Sequence, residues 1–271
     1  MSYPSDGRNH KSGIKNEKST KAFLESNAHF IFPEVNKGKY VVESRGGTKY
    51  KEDNVVITDD GITINISDKK KEGLGGSFDY TNSSAAITEM LNKGEDNSFS
   101  MVKVYDAVNK AREFPRSRRV ELVNYFRGRV KEASHEAVKK MTSEQITSVL
   151  ETHMIKCNRD QYMFITDIVN KKRYIFPFLN HPVNLLLKKG YVPSIRVNPG
   201  ASSGKIIFTK GNDVQDVGIR LRIHTNNGVK ALLNVSESNN YSKFVLKLQQ
   251  EGIPKLIESV DIIENNSWLS M

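Results

Sequence analysis

The sequence has very few of the residues that build disulfide frameworks and membrane spans. Its 271 residues include a single cysteine, Cys157, and a single tryptophan. One cysteine excludes an internal disulfide and a cysteine-based zinc cluster, and it fits a reducing compartment. No run approaches the roughly 20 apolar residues of a membrane helix, and the polar N-terminus has no signal-peptide core. These absences predict a cytoplasmic protein without membrane spans.

Acidic residues are the minority among the charged ones. There are 31 Asp and Glu against 41 Lys and Arg, which gives a formal net charge of +10. A basic protein favours polyanions, with nucleic acid first and acidic membranes second. Charge alone is weak support, because lysine-rich solvated surfaces give the same balance. The content of 37% hydrophobic and 27% charged residues is globular, and the length suits one large domain or two small ones.

One stretch, Tyr50–Lys71, has the pattern of a β-hairpin. Asp and Gly mark a turn near Gly61, and β-branched residues fill both arms. Successive side chains in a strand point to opposite faces. The second arm therefore divides into a core face and a face that should look into a cleft. Ile62, Ile64 and Ile66 form the first, and Thr63, Asn65, Ser67 and Lys69 form the second.

The two arms end in residues that suit one chemistry. Asp53 opens the first arm and Lys69 lies near the end of the second. A carboxylate can hold a divalent cation, and a lysine can orient or deprotonate a water and offset phosphate charge. This pairing favours metal-assisted cleavage of a phosphodiester.

Lysines, glycines and aromatic residues follow the hairpin. Lys70 and Lys71 precede a glycine-rich segment that leads to Phe78, Tyr80 and Asn82. Basic charge beside exposed rings is typical of nucleic-acid binding, with phosphates on lysines and bases on rings. The alternative is a loop that Phe78 anchors by packing inward. Both interpretations stay open at this point.

The remaining pattern predicts a mixture of helices and strands. Helices are expected over residues 13–26, within 85–151 with a start at Thr142, over 182–189 and over 243–250. Strands are expected over 40–43, 161–167, 173–177 and 194–210, with a further strand over 218–225.

Basic and polar residues recur on the later strands. In the strand over 218–225, Arg220, Arg222 and His224 alternate with Ile219, Leu221 and Ile223. An arginine ladder on a sheet needs anions or water, and arginine pairs bidentately with guanine. The candidates for DNA contact in this region are Arg196, Asn198, Ser203, Lys205, Lys210, Arg220 and Arg222.

Three short segments carry a family resemblance. Residues 11–18, 50–55 and 66–69 resemble the active-site segments of the PD-(D/E)xK nucleases, in particular a small type II restriction endonuclease that cuts GCGC. Residues 194–225 are also similar. The resemblance implies an α/β fold: a nuclease core with a central mixed β-sheet flanked by helices, a helical insertion and a C-terminal β-rich DNA-recognition region. Residues 1–271 would form one nuclease domain, with catalytic segments in 11–84, helices in 85–155 and recognition strands in 160–260.

The resemblance also implies roles for individual residues. Asp53 would be the main metal ligand, Lys69 the catalytic lysine, and Glu17 an added acid that helps hold the metal. Ser67 departs from the pattern, which usually has an acid there, so metal binding would be weaker or Glu17 would compensate. An alternative frame uses Asp68 and Lys70, but strand parity puts Asp68 on the isoleucine face unless a bulge intervenes. In the favoured frame the Asp68 carbonyl can still reach a metal. Phe78 would enter a DNA groove.

The expected protein is a Mg²⁺-dependent, sequence-specific double-stranded DNA endonuclease of the restriction type. One metal ion and two metal ions are both compatible with the carboxylates available, and so are a monomer and a homodimer. Two alternatives remain on the same fold. The first is a DNA-binding protein without catalysis, and the second is a structure-specific repair nuclease.

Overall fold

The chain forms two compact units, each built from separate stretches of sequence. The computed structural model describes residues 8–45, 52–71, 77–83, 134–167, 172–198, 203–225 and 244–252, and isolated positions 115, 118, 128, 132, 169, 201, 256 and 263–264. The first unit comprises Met1–Gly76, Asn158–Pro182 and Ile257–Met271, and the second comprises Ser77–Cys157 and Val183–Leu256.

The elements are numbered along the chain. They are α1 (Arg8–Ile31), β1 (Tyr40–Ser44), β2 (Asn54–Thr58), β3 (Thr63–Lys71), β4 (Ser77–Ser83), α2 (Ser143–Val149), β5 (Gln161–Asp167), β6 (Lys172–Pro177), α3 (Pro182–Lys188), β7 (Val192–Arg196), β8 (Ser203–Lys210), β9 (Asp213–Gln215), β10 (Ile219–Thr225), β11 (Phe244–Glu251) and β12 (Ile263–Glu264). Helix α2 continues as a π-helical segment, Leu150–Ile155. None of the helices in the described part of the chain is long and apolar enough to cross a membrane.

The first unit is a mixed sheet with helix α1 on one face. Its strand order is β1-β2-β3-β5-β6-β12. Strands β3 and β5 are parallel, whereas the other neighbouring pairs are antiparallel. The predicted α/β class with a mixed sheet is therefore confirmed. Strands β5 and β6, which the sequence grouped with the recognition region, belong to this first sheet.

Helix α1 covers the sheet with a stripe of buried side chains that are polar near its start and apolar further along. Phe23, Leu24 and Ala28 are buried with Ile64 and Ile66 in one apolar core. One turn earlier the buried positions of the helix are polar, namely Asn16 and Thr20. Positions three and four apart share a helix face, so the polar and apolar parts form one continuous stripe. The helix is longer than the predicted 13–26 because its apolar contacts continue to Ile31.

The predicted hairpin is confirmed by β2 and β3, and Ile64 and Ile66 of its predicted core face are buried, but Ile62 is 40% exposed beside the turn. Asn54 pairs with Ile66 and Ile57 with Thr63 in an antiparallel ladder. Gly61 has φ +86° in the turn, a conformation that glycine adopts without a Cβ clash. Nearby, the Thr58 hydroxyl accepts a 2.9 Å hydrogen bond from the Ile62 N–H.

The second unit is an antiparallel sheet in the order β4-β11-β10-β8-β7, with β9 beside β8. Ile219, Leu221 and Ile223 are buried on one face of β10, as predicted. Gly204 lies opposite Leu221, and a Cβ there would come within 2.9 Å of Val138 and 2.3 Å of Ile195. The helical residues 134–139 therefore pack closely on this face, and the other face is left to polar side chains.

Two predictions in the second unit were wrong. Residues 244–251 form strand β11 rather than a helix, because Leu246, Leu248 and Gln250 are buried in alternation with half-exposed Lys247 and Gln249. Residues 77–83 form strand β4 rather than a loop.

The predicted helix start at Thr142 is confirmed by a capping box in which Thr142 and Gln145 bind each other's backbone N–H groups. Most of the helical prediction for 85–133 lies outside the described residues.

Candidate functional site

Asp53 lies immediately before β2, where the main-chain ladder of the hairpin ends. Its N–H donates a 2.9 Å hydrogen bond to the carbonyl of Ile66. Its carboxylate Oδ2 accepts a 2.6 Å hydrogen bond from the N–H of Asp68. The side chain of Asp53 thus continues the ladder past the end of the strand, and this fixes the carboxylate at the edge of β3.

Ser67 and Lys69 share one face of β3 near Asp53, because they are two residues apart in the strand. The hairpin register ends at Asn54 and Ile66, and Asp53 follows it with its N–H on the Ile66 carbonyl and its carboxylate on the Asp68 N–H. The charge of Lys69 lowers the pKa of Asp53, so this lysine lies within electrostatic reach of the carboxylate. Ser67 is 7% exposed, and Lys69 is partly exposed. The hairpin places the predicted acid, serine and lysine together.

The pKa of Asp53 is raised. Burial is the larger cause, and it outweighs the Lys69 charge and the hydrogen bond from the Asp68 N–H, which both lower the pKa. The charge of Glu52 raises it further. A carboxylate with these neighbours gains from a cation, because a positive charge offsets the cost of burying the ionised form.

The carboxylate of Asp68 points to the opposite face, beneath α1, as strand parity predicts. Burial raises its pKa to about 7, while the Thr20 hydroxyl, the Arg173 charge and the Asn16 side chain oppose this rise. The charge of Asp53 adds to it. Among the described residues, no donor reaches either carboxylate oxygen with full hydrogen-bond geometry.

Arg173 of β6 completes a buried polar group beneath α1. Its Nη2 donates a 2.9 Å hydrogen bond to the Ser19 hydroxyl, and its guanidinium lies 4.8 Å from the ring centre of Phe23 and 5.7 Å from that of Phe164. Burial lowers the pKa of Arg173 to about 10, and the charge of Asp68 opposes this. We call Asn16, Ser19, Thr20, Asp68 and Arg173 the helix-side cluster.

Glu17, the second predicted acid, lies half-buried on α1 beside Asn16. Its neighbours on the buried stripe, Asn16 and Thr20, are the residues that adjoin Asp68. Within the part of the chain that the structure describes, no three His, Cys, Asp or Glu side chains are arranged to hold a metal ion. The structure therefore does not bring Glu17 together with two other acids.

The oxygen ligands available at the edge of β3 nevertheless fit Mg²⁺. In a strand the N–H and C=O of one residue point to the same side. The Asp68 N–H points at Asp53, so the Asp68 carbonyl lies on the same edge as the Asp53 carboxylate. Mg²⁺ in proteins is usually bound through one or two carboxylates and keeps several waters and substrate phosphates as ligands. One carboxylate and one carbonyl are therefore a sufficient protein contribution.

The second unit carries two rows of polar residues on the sheet face opposite Ile219, Leu221 and Ile223. The first row follows the register Arg196–Lys205–Arg220–Gln249–Asp79, and the second follows Ser203–Arg222–Lys247. Register partners lie on the same face. We call this surface the basic face. It contains four of the predicted DNA-contact residues, together with Ser203.

Several basic side chains on this face already have acidic partners. Lys247 lies 2.6 Å from Asp79, Lys205 lies 3.1 Å from Asp216, and Arg220 contacts Glu251. Burial raises the pKa of Asp79, but hydrogen bonds from Lys247 and Gln249 and the charges of Lys247 and Arg222 outweigh it, so the pKa is lowered.

Arg222 differs from these neighbours. Its Nε is buried without a hydrogen-bond partner among the described residues, and its charge acts on Asp79 only as one of several that lower the pKa of that carboxyl. A buried guanidinium N–H without an acceptor is costly, so Arg222 is the residue of this face that gains most from an anion or a base edge.

Other predicted contacts are placed differently. Phe78 and Tyr80 are only 8% and 7% exposed and pack edge to face, and Tyr80 donates a 2.9 Å hydrogen bond to Gln250. The structure supports the inward-packing interpretation, since both rings belong to the core of the second unit. Asn198 is exposed beyond the end of β7. The side chains of Lys70, Lys71 and Asn82 lie outside the described residues.

Lys210 lies at the end of β8 remote from Ser203. Its Nζ donates a 2.6 Å hydrogen bond to the Lys189 carbonyl, and it lies 6.0 Å from the Tyr191 ring centre. Ser203 and Lys205 share one strand face, whereas Lys210 has the opposite parity. This lysine is therefore separate from the basic face.

Three residues that help to build these sites were not predicted from the sequence. Lys247 and Gln249 were not predicted because their segment was expected to be a helix, although their alternation with Leu246 and Leu248 indicates a strand. Arg173 had no local signal, because its partners come from α1 and β3, far away in sequence.

No protein-family model and no curated protein sequence matches this chain. The candidate function therefore rests on the geometry of this chain's own residues.

Proposed function

We propose that the protein is a Mg²⁺-dependent endonuclease of the PD-(D/E)xK class that cuts double-stranded DNA at a short specific site, as type II restriction enzymes do. The observation that supports this most directly is the position of the Asp53 carboxylate at the open end of the β2–β3 hairpin, on the Asp68 N–H and within reach of the Lys69 charge. A metal-binding carboxylate beside a lysine provides the two functions that phosphodiester hydrolysis requires.

Each residue of the hairpin has a distinct role in this proposal. Asp53, fixed by the Asp68 N–H, holds the metal with its carboxylate, and the Asp68 carbonyl lies on the same edge. Lys69 orients the attacking water and offsets the charge that develops on the phosphate. When bound, Mg²⁺ neutralises phosphate charge and acidifies a coordinated water. Ser67 supplies no charge, so Glu17 is the remaining candidate for a second acid.

DNA binding is assigned to the basic face of the second unit. Arg196, Lys205, Arg220 and Arg222 supply positive charge for phosphates and guanidinium donors for base edges. Arg222 is the best candidate for base readout because its Nε has no partner among the described residues.

One observation favours a second candidate, a DNA-binding protein without catalysis. Position 67 of β3 holds a serine where the nuclease pattern usually has a second acid, so the metal site has fewer charges. A structure-specific repair nuclease is the third possibility on the same fold.

Incubation of the purified protein with plasmid DNA separates these candidates. With Mg²⁺, discrete fragments that disappear when EDTA is added are expected for a restriction enzyme. Smears or cleavage confined to junction substrates would support a repair nuclease instead. Intact plasmid together with a gel shift would support binding alone. The Lys69→Ala variant is the control for a contaminating nuclease, since it should shift DNA without cutting it.

A further inference from the structure

Strand β3 presents functional side chains to one face and a buried carboxylate to the other. Ser67 and Lys69 share one face, while Asp68 between them points under α1. The polar part of the α1 stripe lies over Asp68, and the apolar part lies over Ile64 and Ile66. The helix therefore matches this one carboxylate with polar residues of its own.

Packing alone does not account for a carboxylate at this position. Phe23 and Phe164 adjoin the helix-side cluster, so an apolar residue would suit the surroundings. Burying a carboxylate is costly unless donors satisfy it, and neither oxygen of Asp68 has a full hydrogen bond among the described residues. A buried charge pair also often contributes less to stability than well-packed apolar residues would.

The backbone of the same residue holds the proposed metal ligand. The Asp68 N–H donates the 2.6 Å hydrogen bond to Asp53 Oδ2. A rotation of the strand that displaced the Asp68 side chain from Thr20 and Arg173 would also turn this N–H away from Asp53. One residue thus connects the helix-side cluster with the carboxylate on the opposite face.

We propose that Asp68 is a positioning residue whose carboxylate, buried beneath α1 beside Thr20 and near the charge of Arg173, keeps its own N–H on Asp53 and so orients Asp53 toward a divalent cation. The metal-binding part of this inference rests on the proposed nuclease function. The contact between Asp53 and the Asp68 N–H does not.

The test uses full-length protein with Thr20→Val, which leaves Asp68 and Asp53 unchanged, and with Asp68→Asn as a second variant. The first measurement is the amide proton of residue 68 by NMR, which in the wild type should be shifted downfield and exchange slowly. Thr20→Val should move it upfield and speed its exchange. The matched control is Ile64→Val, a core substitution on the same face of β3 that should leave this amide unchanged.

The second measurement is the Mg²⁺ concentration that gives half-maximal plasmid cleavage. Loss of a residue that orients a metal ligand typically costs about 10- to 100-fold in metal affinity or activity. An increase of about 10-fold is expected for Thr20→Val and Asp68→Asn, with DNA affinity unchanged. Ile64→Val should lower stability without this increase, which separates positioning from a general loss of folding.

The outcomes distinguish the two proposals. Wild-type protein that does not cut would refute the nuclease function, yet the residue 68 amide would still report on the positioning contact. Wild-type cutting with an unchanged amide and an unchanged Mg²⁺ midpoint in both variants would overturn the role of Asp68 alone. A changed amide with an unchanged Mg²⁺ midpoint would overturn the orientation of Asp53 toward the metal.

Discussion

The Oδ2 atom of Asp53 accepts a 2.6 Å hydrogen bond from the N–H of Asp68. The N–H of Asp53 itself donates to the carbonyl of Ile66, two residues before Asp68. At the end of the hairpin ladder, the Asp53 carboxylate rather than a main-chain carbonyl accepts the hydrogen bond from the N–H of Asp68. This hydrogen bond engages Oδ2, so Oδ1 is the carboxylate oxygen available to a cation. A carboxylate held in this way is preorganised as a metal ligand, since little rotamer entropy remains to be lost on binding.

Asp53→Asn should abolish Mg²⁺-dependent cleavage. The amide keeps the size of the side chain and can still accept from the Asp68 N–H, but it removes the negative charge that binds the cation. We expect activity to fall by at least about 100-fold, in the range found when metal ligation is disturbed. Plasmid cleavage measured against Mg²⁺ concentration tests this. Asp59→Asn, at an exposed turn position, is the matched control, and full activity in Asp53→Asn would refute the metal assignment.

Lys69→Ala should stop cutting while DNA binding persists. Removal of a group that assists proton transfer typically costs about 10² to 10⁴ in rate. Cleavage and gel-shift affinity are measured on the same substrate, with Lys39→Ala as an exposed lysine control from the same unit. Lys70→Ala tests the alternative frame. Loss of activity in Lys70→Ala with normal activity in Lys69→Ala would mean that the working pair is Asp68 and Lys70.

Asp68 should make the stability of the protein depend on pH. Its pKa rises from 3.8 to about 7 on folding because of burial. As pH increases, the unfolded chain therefore loses this proton before the folded protein does. The contribution of Asp68 to the free energy of unfolding is greatest below about pH 4, falls between pH 4 and 7, and is constant at higher pH.

Asp68→Asn removes this titration. The free energy of unfolding of the variant, relative to wild type, should rise between pH 4 and pH 8 by a few kcal/mol, since each unit of raised pKa corresponds to about 1.4 kcal/mol. Urea denaturation of both proteins at the two pH values measures the change. Asp59→Asn should show no such difference. A relative free energy that stays constant with pH would contradict the buried, protonated state of Asp68.

The elements of the first unit were largely predictable because their signals are local. The turn at Gly61 and the alternation in β3 identified the hairpin. The same alternation placed the Asp68 side chain on the other face of β3 from Ser67 and Lys69. The parallel pairing of β3 with β5 was not predictable, because about ninety residues separate these strands and no local pattern specifies the partner. The helix-side cluster was hidden for the same reason.

The second unit shows where short-range patterns mislead. Phe78 and Tyr80 lie in a segment of small polar residues that reads as a loop, yet the pairing of β4 with β11 buries both rings. Strand β11 in turn forms only because β10 and β4 flank it. In both cases tertiary pairing outweighs local propensity, which is a weaker guide for strands than for helices.

Ser67→Asp should strengthen metal binding. The new carboxylate would lie on β3 next to Asp68, whose N–H binds Asp53, and two carboxylates bind a divalent cation more tightly than one. The Mg²⁺ concentration for half-maximal cleavage should fall, whereas Ser67→Ala should leave it unchanged. Both side chains replace a buried serine, so thermal unfolding is followed in parallel. An unchanged Mg²⁺ midpoint in a folded Ser67→Asp variant would place the metal away from this pair.

Arg222→Ala should weaken specific DNA binding more than non-specific binding. A base-reading arginine typically contributes about 1–3 kcal/mol, which corresponds to roughly 5- to 150-fold in affinity for the recognised site. Arg222 is central on the basic face, and Asp79, the acid whose pKa its charge lowers, keeps its direct partners Lys247 and Gln249 when Arg222 is removed. Affinity for cleavable and unrelated duplexes, measured at two salt concentrations in Ca²⁺, separates base readout from phosphate contact. Lys210→Ala, a basic residue off this face, is the control. Equal weakening on both duplexes, with a reduced salt dependence, would instead assign Arg222 to the phosphate backbone.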